Sequence, residues 1–258
     1  MDPKKDATIA LREEEFSVSR DDGPMPVFSV GPDNNDRLPG LIVIHEIFGL
    51  DDHIKDVARR FARHGLRVYA PDLFTRSRLW TKQESERTNL DLMRQIWTSI
   101  PDADLMADLD ALFNKISLQE NINGKVGMIG YCMGGAISLM FGGHEPKLAF
   151  VIDYYGRIKY GDTSKTKPKH PIDYIVPLKA PVLGVFAGKD ELITKEHLAH
   201  FEQQMQNLGK TYQLKIYDDA QHAFFNDKRP FYNREASEDA WQLTLAFIKQ
   251  HSKAQLSV

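Results

Sequence analysis

The string Gly130-Tyr131-Cys132-Met133-Gly134-Gly135 constrains this chain more than any other part of its sequence. It follows an apolar, β-rich run at 125–129 and leads directly into the apolar stretch 136–141. A strand must therefore become a helix across a very sharp turn. Glycines two places before and after Cys132 let strand and helix approach closely, and the apex residue is forced into a strained backbone. Its side chain then stands at the C-terminal edge of a sheet and at a helix N-terminus, where a thiolate is favoured. The same turn aims the Met133 N–H at a developing oxyanion. This is a nucleophile-elbow pattern with cysteine in the place usually held by serine. The competing reading is a buried cysteine on a nucleotide-binding turn. It is weakened because the chain has no G-x-G-x-x-G and no phosphate-binding lysine after the glycines. No G-x-S-x-G elsewhere supplies a rival serine.

The rest of the chain suits such a turn. Short apolar runs at 41–44, 67–70, 126–129, 148–152, 182–186 and 213–217 alternate with helical stripes. Their near-continuous apolar character is that of parallel strands buried on both sides. Ile54, Val57, Ala58 and Phe61 form one stripe, ended by Gly65; Leu105, Leu109, Leu112, Phe113 and Ile116 form a second. Leu198, Phe201, Met205 and Leu208 form a third, and 235–250 reads as a closing helix. The expected fold class is α/β, with a mostly parallel central sheet and helices on both faces. One domain over 1–258 accommodates this, its core at about 41–250 and residues 1–39 peripheral. Two stretches resist the alternation and could shape a pocket mouth. Residues 74–100 begin as an irregular Arg-rich segment before a helical pattern at 91–97, and 156–179 is rich in Lys, Pro and Gly.

Composition narrows the partners. A net charge of −3 without a large basic block gives no support for nucleic-acid binding. No run approaches the ~18 apolar residues of a membrane span, and residues 1–12 lack the apolar core of a signal peptide. The chain has one cysteine, so no internal disulfide is available and a reducing compartment fits. The expectation is a cytoplasmic protein, monomeric by default with a dimer possible.

Around an elbow of this kind the acid and then the histidine follow the nucleophile in the chain. Asp190 lies just past the apolar strand at 182–186, and His222 lies in the loop after the run at 213–217. Either alone is an ordinary loop residue. Their joint placement after the cysteine elbow points to His222 as the base for the thiol and Asp190 as the group that orients its ring. His45-Glu46 invites a zinc reading, but position 49 is glycine, so H-E-x-x-H is absent. No catalytic metal and no cofactor is expected.

These motifs resemble the dienelactone hydrolase family of the α/β-hydrolase superfamily. The likeness runs from about residue 41 to 247 and includes the elbow, His45-Glu46-Ile47-Phe48-Gly49-Leu50, Ala70-Pro71-Asp72-Leu73-Phe74, Asp153-Tyr154-Tyr155-Gly156 and the segments carrying Asp190 and His222. The resemblance implies a small-molecule ester or lactone substrate and no cofactor. It implies that Glu46 modulates the thiol: a carboxylate there would compete with His222 for the thiol proton and raise the cysteine pKa. It further implies that the Ile47 N–H completes an oxyanion hole with Met133. Arg76 would bind a substrate carboxylate through its planar fork. Arg76 and Arg78 read equally well as solvated loop charges. Where some members carry an arginine four residues past the histidine, this chain has Asn226. That departure keeps a broader carboxylesterase or thioesterase open. A non-hydrolytic relative that binds a small molecule or senses oxidants through Cys132 is the third reading.

Overall fold

The computed structural model describes residues 9–20, 23–80 and 88–252. Residues 81–87, within the irregular stretch read at 74–100, and residues 1–8 of the polar N-terminus lie outside them.

Eight strands form one sheet: β1 (Leu11–Arg20), β2 (Gly23–Pro32), β3 (Leu38–Ile44), β4 (Arg67–Pro71), β5 (Ile122–Tyr131), β6 (Val151–Tyr154), β7 (Val182–Ala187) and β8 (Tyr212–Tyr217). Their order is β1-β2-β4-β3-β5-β6-β7-β8. Every pairing from β4 across to β8 is parallel, whereas β1–β2 and β2–β4 are antiparallel. The helices are α1 (Asp52–Arg63), α2 (Leu90–Ser99), α3 (Asp102–Ser117), α4 (Met133–His144), α5 (Lys195–Asn207) and α6 (Arg234–Ser252).

Central strands are buried on both sides because helices cover both faces. Phe61 of α1 meets Trp241 of α6 at 4.4 Å between ring centres, and Phe113 of α3 meets Phe141 of α4 at 6.3 Å. Each aliphatic side chain of β3 removed from water in this way stabilises the fold by about 1.5–3 kcal/mol. α1 starts where the Asp51 carboxylate accepts the Ile54 N–H at 3.0 Å, and it stops before Gly65, whose φ is +85°.

From sequence, residues 1–39 are expected at the periphery. The structure corrects this for 11–32, which add a two-stranded ribbon to the sheet. β2 delivers Met25, Val27, Phe28 and Val30 to the core. Prolines 24, 26 and 32 disguise β2 as loop; they are tolerated because β4 pairs only with Val27, Phe28, Ser29 and Val30, so each proline lies where one flank of β2 has no ladder partner. β1 is the outer edge. Its Glu13 and Glu15 pair with Arg59 and Lys55 of α1, a charged edge that discourages further strand addition.

Candidate active site

β5 ends at Tyr131, α4 begins at Met133, and Cys132 alone makes the turn with φ 54° and ψ −116°. A left-handed, non-glycine residue costs about 1–3 kcal/mol and persists only where its neighbours over-determine it. Here the Cys132 N–H donates to the Tyr154 carbonyl at 2.9 Å, and the Cys132 carbonyl accepts from Gly135 N–H at 3.0 Å. A Cβ at Gly130 would overlap the Gly134 carbonyl, and one at Gly134 would overlap the Ile44 and His45 carbonyls. The spacing of the two glycines is thus set by backbone-to-backbone approach. The thiol is half-buried at the N-terminus of α4, where the dipole favours an anion by roughly 0.3–1 kcal/mol.

His222 and Asp190 meet this thiol. His222 Nε2 lies 3.1 Å from Cys132 Sγ, and His222 Nδ1 lies 2.7 Å from Asp190 Oδ2. Asp190 is itself fixed, because its Oδ1 accepts the N–H groups of Leu192 at 2.8 Å and Ile193 at 3.2 Å. Burial pulls the imidazole toward its neutral form, but the cysteine charge and the Asp190 carboxylate outweigh it. The His222 pKa is pushed up to about 10. The charged form of the ring is thus favoured by sulfur on one side and carboxylate on the other. The Tyr155 ring lies edge-on to it at 5.3 Å.

The loop after β3 forms the opposite wall. His45 is fully buried; its Nδ1 donates to the Glu46 carbonyl at 2.6 Å, and its Nε2 accepts the Leu73 N–H at 3.2 Å. Both ring nitrogens are thus spent on shaping the loop. Gly49 has φ +80° and lies against Trp80, which a Cβ there would strike. Phe48 is covered by the Arg229 guanidinium, 3.6 Å above its ring. Neither the Ile47 N–H nor the Met133 N–H donates to an acceptor among the described residues. Gly134 packed on the Ile44 and His45 carbonyls brings the start of α4 against this loop.

Glu46 is 2% exposed. Its Oε2 accepts from the Asn226 amide at 2.5 Å, while its Oε1 has no partner among the described residues. Burial is the main reason its pKa rises to about 7, with the Asn226 donor and the His222 charge working the other way. No hydrogen bond joins this carboxylate to the thiol among the described residues. Sγ is bonded to His222 instead, and Glu46 is held by the residue at the arginine-to-asparagine departure.

Arg76 is not available as the sequence reading has it. Its Nε and Nη2 take both oxygens of Asp108, at 2.7 and 2.5 Å, and its Nη1 donates to the Gly23 carbonyl. The planar fork assigned to a substrate carboxylate is filled by a buried carboxylate of α3. Tyr131, Tyr155 and Arg229 also belong to this neighbourhood, and sequence alone assigns them no role. Tyr155 follows β6 with φ 42°. Its place in Asp153-Tyr154-Tyr155-Gly156 is legible in the sequence, whereas its position against the His222 ring is set by the fold.

A strand-to-helix elbow on a largely parallel sheet, with acid and histidine supplied by the loops after β7 and β8, defines an α/β hydrolase. Comparison with known proteins narrows the class. The Dienelactone hydrolase family profile matches residues 25–252, so the chain belongs to that family and is a hydrolase of esters or lactones. A Methylorubrum extorquens protein provisionally named a carboxymethylenebutenolidase is 34% identical over 243 residues, covering 93% of this chain and 81% of its own. An Escherichia coli K12 protein of the same provisional name is 33% identical, covering 88% and 83% respectively. The crystal structure of a Klebsiella pneumoniae protein, provisionally named a dienelactone hydrolase, superimposes with a TM-score of 0.84 at 32% identity. It covers 93% of this chain and 99% of that one.

Proposed function

We infer that the chain opens its substrate by nucleophilic catalysis through Cys132. The thiolate attacks the ester or lactone carbonyl, forming a C–S bond while the carbonyl electrons move onto oxygen. The free N–H groups of Met133 and Ile47 receive that oxyanion. Collapse breaks the C–O bond, and the departing oxygen takes a proton from His222 Nε2. Water then attacks the thioester with neutral His222 as base, and the second collapse restores the thiolate and releases the acid. Asp190 orients the ring and favours its charged form. Glu46 tunes the charge shared by Cys132 and His222. The observation that carries this reading is the continuous relay from Asp190 Oδ2 through the imidazole to Sγ, 2.7 and 3.1 Å long, at a strained elbow. A nucleophile of this kind with no disulfide partner suits a reducing compartment such as the cytoplasm.

Pre-steady-state hydrolysis of p-nitrophenyl acetate, a simple lactone and a carboxylate-bearing enol-lactone tests it. A burst of one equivalent from the wild type, with turnover lost in Cys132→Ala and His222→Ala, is the expected result. Full turnover in either variant, each with a native circular dichroism spectrum, would end the reading.

One observation favours a second reading of the substrate. Arg76 is committed to Asp108 and Asn226 is neutral, so neither position offers a free cation to a substrate carboxylate. A broader ester or thioester range follows if the plain ester is turned over as well as the carboxylate-bearing lactone.

A further inference from the structure

Around Cys132 and His222, four polar atoms are buried without a hydrogen-bond partner among the described residues: Asp153 Oδ2 on β6, and a group of three, Glu46 Oε1 and the hydroxyls of Tyr131 and Tyr155. The group of three comes from three elements, the loop after β3, the last residue of β5 and the residue following β6. An unmet buried polar group costs about 1–3 kcal/mol, so three in one neighbourhood require a physical reason.

Their placement is tightly determined. The Tyr131 ring stacks on Phe225 at 5.4 Å, while the adjacent Asn226 holds Glu46, so a single loop fixes both. The rings of Tyr131 and Tyr155 lie 6.3 Å apart. Tyr155 keeps its left-handed backbone through an N–H bond of 2.8 Å to the Val185 carbonyl. Burial first, then neighbouring charge that includes Glu46, holds both phenols well above their ordinary pKa. Cys132 adds to this at Tyr155. Both hydroxyls are therefore permanent donors; of the two nearby acceptors without a donor, Glu46 Oε1 and Asp153 Oδ2, it is Glu46 whose charge acts on both phenols.

We propose that Tyr131 and Tyr155 are positioning residues for Glu46, whose hydroxyls donate toward Oε1 across one bridging water and hold the carboxylate ionised beside His222 and Cys132. The inference rests on the reading of Glu46 as the group that tunes the Cys132–His222 pair. The other groups acting on Glu46 pull in both directions. Asp51 at the start of α1 opposes its ionisation, His222 and Arg229 in the segment after β8 favour it, and Asn226 supplies a neutral donor to Oε2. Asp153 on β6 also lies in the field of His222, with its Oδ1 accepting the Gly156 N–H at 2.7 Å.

The test is the pH profile of kcat/KM for wild type, Tyr155→Phe, Tyr131→Phe, Glu46→Gln and the Glu46→Gln/Tyr155→Phe double variant. Each phenylalanine should move the acid limb to higher pH by about 0.5–1 unit, with the plateau lowered less than about threefold. Glu46→Gln should erase that limb and make the added Tyr155→Phe silent. An acid limb unmoved in both tyrosine variants, or a loss uniform across pH, overturns the proposal. A limb that survives in Glu46→Gln removes the underlying reading of Glu46, and the inference with it. Both tyrosine variants should keep a native circular dichroism spectrum at every pH assayed, so that a moved limb reports Glu46 rather than unfolding.

Discussion

Asn226 donates its side-chain amide to Glu46 Oε2 at 2.5 Å, so a neutral group rather than a cation restrains the buried carboxylate beside Cys132 and His222. The restraint has a cost that pH exposes. Burial raises the Glu46 pKa from 4.5 to about 7 in the folded chain, and an acid raised by folding favours the folded state only while protonated. The stabilising effect is fully present below pH 4.5 and is lost as pH rises through 7. The loss amounts to about 3 kcal/mol. Glu46→Gln keeps an acceptor for Asn226 and removes the ionisation. The variant should therefore gain stability over wild type at pH 8 and gain little at pH 4, measured by urea unfolding. Equal differences at the two pH values would contradict a buried, raised carboxyl.

The pairing of His222 with sulfur makes a separate prediction. The His222 pKa is pushed up to about 10 because burial, which lowers it, is outweighed by the Cys132 charge and the Asp190 carboxylate. Cys132→Ala deletes one of the two raising partners. Histidine NMR titration should show the His222 pKa falling clearly in the variant. An unchanged value would mean that Cys132 has no part in raising the imidazole.

Much of this site was legible because its chemistry is local in sequence. The glycines around Cys132 report a backbone approach that a Cβ forbids, and Asp190 and His222 each follow an apolar strand by a few residues. The ribbon β1–β2 was not legible: three prolines interrupt the apolar pattern of β2, and β1 is a run of exposed charge. The partner of Arg76 was also hidden. Asp108 lies 32 residues on, inside a helix whose apolar stripe gives no hint that this carboxylate is turned inward. Pairings of that kind are set by packing angles between elements, which periodicity does not encode.

Asp190 performs two tasks with its two oxygens, and they can be separated. Oδ1 accepts the Leu192 and Ile193 N–H groups and shapes its own turn, while Oδ2 faces His222 Nδ1. Asp190→Asn keeps an acceptor for the turn but presents an amide where a carboxylate stood. Turnover should fall about 10³–10⁴-fold with the melting temperature nearly unchanged, because the imidazole is left in the wrong tautomer and its cation unsupported. Asp190→Ala should lose activity and stability together. Similar activity in the asparagine variant and wild type would show that the relay to Asp190 has no part in the reaction.

Arg76 separates structure from substrate binding. Its side chain is 8% exposed, and that of its partner Asp108 only 1%. Arg20 supplies a weaker second contact to Asp108 at 3.2 Å, which leaves most of the compensation for the buried carboxylate to the Arg76 fork. Removing one member of a buried pair strands the other charge, at a cost of about 3–5 kcal/mol, reduced here by whatever Arg20 supplies. Arg76→Met should therefore destabilise the chain by several kcal/mol in urea unfolding. The double variant Arg76→Met/Asp108→Leu, which removes both charges, should recover much of that loss. In both variants KM for a carboxylate-bearing lactone, measured where the protein is folded, should stay within about twofold of its value for the uncharged ester analogue relative to wild type. A selective rise in KM for the charged substrate, with stability intact, would return Arg76 to the substrate side of the site.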